Sequence, residues 1–447
     1  MTCEYKYHES PCQFSSSDTP IYEFNGKKWC LYHMPVEDDK GNRSIKSDRN
    51  SEEFSQFNKL ILGEIDKIIS VKRIVNLTGV VFPEGFGWLN KDVEYSIHLH
   101  DAEFHREFWL TNSTYKQPIY LVGAIFHGSV NLDRSSFSGA INFTGSTFKS
   151  ELNCEETVFR NIYLKNSIVE SCNFEGAYFR SSAHFQGIQA KESMRFLNST
   201  FDDGALFMKA DFAEKVHFDE SSFKFMVDFQ NAQFHDATSF EGCVFHKDCK
   251  IRFNNAKFYN STNFSNCLFK ESPSFHQAVI HQDTTFDDSI FEDIYSNDAY
   301  RNYRTLKVAM GNHQARQEEA WFFVLEQRSL RRRDDTPYNL KIFSRFYWLF
   351  ADYGRSILRP FIGLCLVNVV AWFTYKASSP LYPEVFNDKR DVTDLVLSQL
   401  AFPFSMLSGK VDVEVFWMNV VGAIQSLLSL IFIAFLLLAV RWNFKRE

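Results

Sequence analysis

The sequence predicts a mainly β protein: a four-sided β-solenoid, then a helical linker and a two-helix transmembrane domain. Three observations predict it. Phenylalanine recurs every five or six residues through the middle of the chain, as in "FQNAQFHDATSFEGCVF", which places rings at Phe229, Phe234, Phe240 and Phe245. The run from Phe416 to Val440 is long and uncharged. Between the two, the ring period stops and amphipathic stretches rich in Arg and Lys take over.

The ring spacing fits neither a helix, with its period of 3.6, nor a strand, with its period of two. It runs through Phe174, Phe179, Phe185, Phe196, Phe201, Phe207, Phe212, Phe218 and Phe223 to the quoted stretch, slips once after Phe245, and resumes from Phe253 to Phe291. Two positions before many of the rings stands a small residue, such as Ala177, Ala205, Ala210, Ala232, Cys243, Ala256 or Cys267, and the positions between are mostly polar. A fixed period with one ring and one small residue inward is the pattern of a solenoid. Each five- or six-residue unit forms one side of a coil, and rings of successive coils stack in columns. With four sides to a coil, Leu121 to Tyr295 makes roughly eight coils, a rod on the order of 40 Å long. The columns contribute most of the 48 Phe in 447 residues, a content far above ordinary usage. The pattern is looser from Val80 to Phe159, where Phe82, Phe126, Leu132, Phe137, Phe143 and Phe148 fit with wider gaps.

The organisation read from the chain is a Cys/His segment over 1–50, a helical lead-in over 51–79, the solenoid over 80–296, a helical linker or cap over 297–340 and a membrane domain over 341–447. "YRNYRTLKVAMGNHQARQEEAWFFVLEQRSLRRR" reads as two helices broken near Gly311, placed to cover the open end of the solenoid. "NLKIFSRFYWLFADYGRSILRPF" mixes rings with Lys341, Arg345 and Arg355, which suits a helix lying at a membrane surface or an ordinary linker helix. Spans are expected at 357–376 and 416–440; the first is short enough to be a core helix instead. Arg331, Arg332, Arg333, Lys341, Arg345, Arg355 and Arg359 precede the first span, and Arg441, Lys445 and Arg446 follow the second. By the positive-inside rule, both termini are expected in the cytoplasm of a multi-pass inner-membrane protein. Between the spans, 392–408 is apolar at first yet too short to cross, as a re-entrant segment would be. Gly422, Gln425, Ser426 and Ser429 fall on one face of the second span. With Asn419, and with Ser405, Ser408 and Gly409 before the span, they are candidate pore-lining residues; the stripe equally suits a helix–helix contact.

At the N-terminus, Cys3, Cys12, Cys30 and His33 offer the four soft ligands of a tetrahedral zinc, with Cys30 and His33 in a Cys-x-x-His pair. Free thiols and a chance histidine are the alternative, and His8 is a possible substitute ligand. His98, His100 and His105 cluster near Asp101, a weaker metal candidate. No phosphate-cradling glycine loop, nucleophile elbow or zinc-protease helix is found, so an enzyme is not expected. The net charge of −7 argues against a nucleic-acid partner.

The central Phe with a small residue two places before it resembles the pentapeptide-repeat family, most strongly from Phe174 to Phe291. The resemblance implies a right-handed quadrilateral β-solenoid. The order of span, short apolar segment and span looks like the pore module of potassium-type channels. Tyr303-Arg304, Leu306-Lys307, Asp352-Tyr353-Gly354, Ser356 and Arg359-Pro360 are similar to bacterial proteins joining pentapeptide repeats to such a module. That resemblance implies a homo-oligomer, a tetramer. The chain departs from it at Phe404 to Gly409, where a potassium filter would present Thr-Val-Gly-Tyr-Gly carbonyls. The expected function is a channel-like protein whose cytosolic solenoid senses a protein partner or ligand and regulates a two-span pore. A bacterial stress or phage-defence effector is an extension of that reading. The alternative is a membrane-anchored interaction scaffold without conduction.

Overall fold

The computed structural model describes residues 3–8, 10–14, 20–48, 52–71, 73–381, 391–401, 403–404 and 415–444. The chain divides into two compact units, Met1–Glu319 and Ala320–Glu447.

The first unit is built on a β-solenoid of about 10 turns. Its strands are mostly two residues long and pair in parallel with the equivalent strand one coil away, from Ile74–Asn76 to Ile290–Phe291. Val75 pairs with Ile97, Ile97 with Ile119 and Ile119 with Ile141, so a coil takes 22 residues, two steps of five and two of six. The slip after Phe245 is one enlarged coil: Val227 pairs with Ile251, 24 residues on.

Polar turns between the sides need left-handed backbone. Asn231 (φ 58°) and Gly242 (φ 69°) supply it in the stretch quoted above. Inside, Tyr115, Phe137, Phe159, Phe179, Phe201, Phe223, Phe245, Phe269 and Phe291 form one continuous column, with neighbouring centroids 4.4–5.5 Å apart and rings near parallel. A second runs through Phe174, Phe196, Phe218, Phe240, Phe264 and Phe286 at 4.8–5.1 Å. Rings of different columns meet edge to face, as Phe207 and Phe218 do at 83°. Stacking along the axis and edge contacts across it are the two arrangements the ring quadrupole favours.

The small residues two places before the rings do more than leave room. Buried Ser135, Thr157 and Ser199 donate their hydroxyls to the carbonyls of Leu110, Leu132 and Phe174. Cys243 and Cys267 make the same bond through sulfur, each at 3.0 Å, to Phe218 and Phe240. A side chain that stays small and donates one bond fills this corner without an unpaired buried group.

Helix α1, Glu52–Val71, covers the first coils: Phe57, Ile61 and Ile65 are buried, and Phe57 meets Phe82 edge-on. At the far end, α2, Ala299–Asn312, buries Ala299, Tyr303, Leu306 and Met310. Tyr303 sets its ring edge-on to Phe291, the last of the column, and donates its hydroxyl to the Asp293 carbonyl at 2.6 Å. A helix thus packs near each end of the solenoid, where unpaired strand edges would otherwise stand open.

Helix α3, Arg316–Arg332, continues into the second unit, which holds α4 (Tyr338–Ala351), α5 (Leu358–Ser378), α6 (Val392–Ala401) and α7 (Phe416–Phe444). Two helical stretches, Leu358–Leu381 and Phe416–Arg441, are long and apolar enough to cross a membrane. The ten-residue α6 is apolar but too short to do so.

Candidate functional site

Cys3, Cys12, Cys30 and His33 converge. A hairpin of Ile21–Phe24 and Lys27–Cys30, turning through Asn25 and Gly26 at positive φ, delivers Cys30 at the end of its second strand. The chain then turns at once, with Met34 N–H bonded to Cys30 O, and brings His33 back beside it. Cys12 follows a second short ladder, Lys6–Tyr7 against Ser10–Pro11. All four side chains are buried, and their ligand atoms lie within 4.8 Å of one another. His33 Nδ1 stands 3.2 Å from Cys12 Sγ, 3.3 Å from Cys30 Sγ and 3.8 Å from Cys3 Sγ; Cys12 and Cys30 sulfurs are 3.7 Å apart. A tetrahedral ion with about 2.3 Å to sulfur and 2.05 Å to nitrogen separates its ligands by about 3.8 Å (S···S) and 3.6 Å (S···N). The cluster could therefore hold a metal ion. His8 packs edge-on to Tyr7 and is not among the four.

The outer partners fit the same purpose. His33 Nε2 is 3.0 Å from the Thr78 carbonyl, the bond that leaves Nδ1 free to ligate. Tyr5 stacks on the imidazole at 3.9 Å. Its ring presses on Gly79 (φ 70°), where a Cβ would stand 2.0 Å from Tyr5 Cζ, so only glycine fits. The thiol of Cys30 is pushed far up by hydrogen bonding to Cys12 and Cys3 and by burial. A cation among three sulfurs reverses that balance, since a bound metal deprotonates its thiol ligands. The Cys-x-x-His pair is visible in the sequence; Thr78, 45 residues from His33, is not.

His98, at the end of the strand Ser96–His98, and His100, in the turn that follows, have ring centroids 5.7 Å apart and pack against Tyr120. His105 does not join them. It stacks instead on His127, one coil later, at 4.5 Å, with Glu103 beside both. The signal for His127 was its 22-residue spacing from His105, which acquires meaning once the coil length is known.

In the second unit, Gln425 is the centre of a buried polar hub. Its amide donates to Asn368 Oδ1 at 3.0 Å and to the Val396 carbonyl at 3.2 Å, and its oxygen accepts from the Tyr375 hydroxyl at 3.3 Å. Ser426 donates to Gln399 at 2.9 Å and accepts the Phe404 N–H at 3.0 Å; Asn368 reaches Ser429 at 3.4 Å. One glutamine thus ties α5, α6 and α7 together, and Val392, Leu395 and Val396 of α6 pack with Ala371, Tyr375 and Met418 around it. Gly422 is buried on the same face and Asn419 is half-buried. Ser405, Ser408 and Gly409 lie outside the described residues.

The Asp352-Tyr353-Gly354 motif forms the corner between α4 and α5. All three residues are left-handed, at φ 46°, 56° and 89°. Arg328 and Arg359 each stand 3.7 Å from Asp352, Tyr353 shares a hydrogen bond with Ser344 at 2.9 Å, and Ser356 Oγ accepts the Arg359 N–H. These bonds hold a backbone that L-residues otherwise avoid.

A family model described as Pentapeptide repeats (9 copies) matches residues 121–168 and 253–295, less than half of the chain. No curated protein matches. Among solved structures, the chain is similar to QnrB1, a plasmid-mediated fluoroquinolone resistance protein, at 12% identity over 51% of this chain and 96% of that one, with a TM-score of 0.17. Both stretches that match the pentapeptide-repeat model, 121–168 and 253–295, lie within the stacked coils of the solenoid.

Proposed function

We propose that the chain is a channel-like membrane protein in which a cytosolic pentapeptide-repeat solenoid senses a protein partner or ligand and regulates a two-span pore module, the whole acting as a homo-oligomer. The observation that carries this reading is α6. It is apolar, too short to cross, and packed against both long helices, with the following Phe404 in the left-handed region and its N–H held by Ser426. A half-helix returning between two spans is tolerated at membrane depth only where protein or a wet cavity surrounds it. The basic residues before α5 and after α7 support cytoplasmic termini. On α4, Tyr338, Phe343, Phe346 and Leu349 are exposed, as on a helix lying at the headgroups. Leu366, Val370 and Phe373 of α5, exposed in one copy, would face lipid or a neighbouring copy. Zinc at Cys3, Cys12, Cys30 and His33 is proposed as structural: it would fix the N-terminal segment against the first coil. A role in bacterial stress or phage defence, by depolarising the membrane, belongs to the same proposal.

A second reading, a membrane-anchored scaffold, is favoured by a specific observation: Gln425, Ser426 and Ser429 spend polar atoms on α5 and α6 of the same chain. The test is ion flux into proteoliposomes holding the purified full chain, with potassium, sodium and chloride gradients in turn. Flux above empty liposomes supports conduction. Its absence at every gradient and voltage, in protein whose thermal unfolding is cooperative, supports the scaffold.

A further inference from the structure

We propose that Glu103, His105 and His127 form a second metal site, an exchangeable one for a divalent transition ion, on the outer face of the solenoid. The ladder places them. Phe104 pairs with Phe126, so the residues that follow each ring, His105 and His127, occupy the same outward position on consecutive coils. Their backbone N–H groups are bonded to the Phe82 and Phe104 carbonyls at 2.9 and 2.8 Å, which fixes both side-chain origins on a rigid element.

Both imidazoles aim Nε2 at one atom: Glu103 Oε1 lies 3.0 Å from that of His105 and 2.8 Å from that of His127. His105 Nε2 is shielded from solvent, although the three residues are only partly buried. With bonds of about 2.1 Å, ligands at right angles around an ion are about 3.0 Å apart, and tetrahedral ones about 3.4 Å. The two nitrogen-to-oxygen spacings match the right angle. Two imidazoles and one carboxylate with open positions suit a six-coordinate or tetragonal ion that keeps water. Borderline ions such as nickel, copper or zinc are the class implied. This is the converse of the closed Cys3–Cys12–Cys30–His33 cluster, so the two sites should differ in exchange rate and spectrum.

Lys149, exposed on the next coil, works against the ion. Its Nζ lies 3.5 Å from His127 Nδ1. Ligation through Nε2 requires the proton on Nδ1, so the ammonium must then turn away into solvent. This opposition provides a test that a plain ion-pair cluster would fail.

The experiment is calorimetric titration of the untagged full chain in detergent with Ni²⁺ alone. Wild type is expected to bind one Ni²⁺ reversibly at this site. His127→Gln and Glu103→Gln should each weaken that binding at least tenfold, and Lys149→Met should tighten it severalfold. Circular dichroism melts unchanged from wild type show that the variants fold. Ni²⁺ binding unaltered in His127→Gln, or no binding by the wild type at micromolar metal, overturns the proposal; so does Lys149→Met without effect.

Discussion

Gln425 donates its side-chain amide to Asn368 Oδ1 at 3.0 Å, linking the two helices long enough to span a membrane through a bond between a buried and a half-buried polar group. Replacing Gln425 by Leu leaves the Asn368 oxygen and the Tyr375 hydroxyl without their partner. We expect a loss on the order of 1–2 kcal/mol, read as a lower thermal midpoint in detergent. A midpoint equal to wild type would remove the hub as a packing device and free the stripe for another role. For the same reason, loss of function in that variant would not by itself demonstrate a pore.

Aromatic columns predict a sharp contrast between neighbours. Phe223 is buried, stacked on Phe201 and Phe245; Phe225, two residues on, is half exposed. Phe223→Ala should cost about 3–5 kcal/mol and Phe225→Ala less than about 0.5 kcal/mol, by denaturant unfolding followed through the β signal. Similar costs at the two positions would contradict the column as the source of stability.

The N-terminal cluster predicts retained metal. After exhaustive dialysis the chain should hold one tightly bound zinc through Cys3, Cys12, Cys30 and His33. Cobalt in its place should show the thiolate charge-transfer bands of a tetrahedral site. Cys30→Ser should lose both. Because His33 is also bonded to Thr78, chelation should loosen the start of the first coil, seen as faster amide exchange near Leu77 and Gly79. Unchanged exchange on metal removal would show that zinc does not hold this segment.

Asp293 predicts an acid limb. Its carboxylate, though burial opposes ionisation, accepts bonds from Ser296, Tyr295 and Ser272 that hold its pKa below the ordinary value. A lowered folded pKa means that the stabilisation is complete above the unfolded value, about 3.9, and is lost as pH falls through the folded one. Asp293→Asn should therefore destabilise at neutral pH, and the gap to wild type should close below about pH 4. A gap that persists at pH 2 would assign the effect to packing.

The fold was legible where it is most regular. From Phe174 onward one ring per side exposes the period directly. In the first coils Val75, Leu77, Ile97 and Leu99 hold the same inward places, and ordinary aliphatic residues do not advertise a period of five or six. The metal ligands were legible in part, because Cys30 and His33 are close in sequence. The partners that orient them, Thr78 and Tyr5, come from the coil and from the start of the chain. The stripe on α7 was legible as a stripe and undecided as a function. Its partners Asn368, Val396 and Gln399 sit on two other helices, and no local pattern pairs residues across them.

The claim on which the rest depends is that α5 and α7 lie in a bilayer, and Cys365 tests it. It is the one exposed cysteine of nine, in the first half of α5 about two turns from its start; the other eight are buried in the protein. In sealed membranes from expressing cells, a membrane-impermeant maleimide should leave Cys365 unlabelled from both sides, as located by mass spectrometry, and should label it once the membranes are dissolved in denaturing detergent. Labelling of Cys365 in intact membranes, or recovery of the chain in the soluble fraction, would contradict the account.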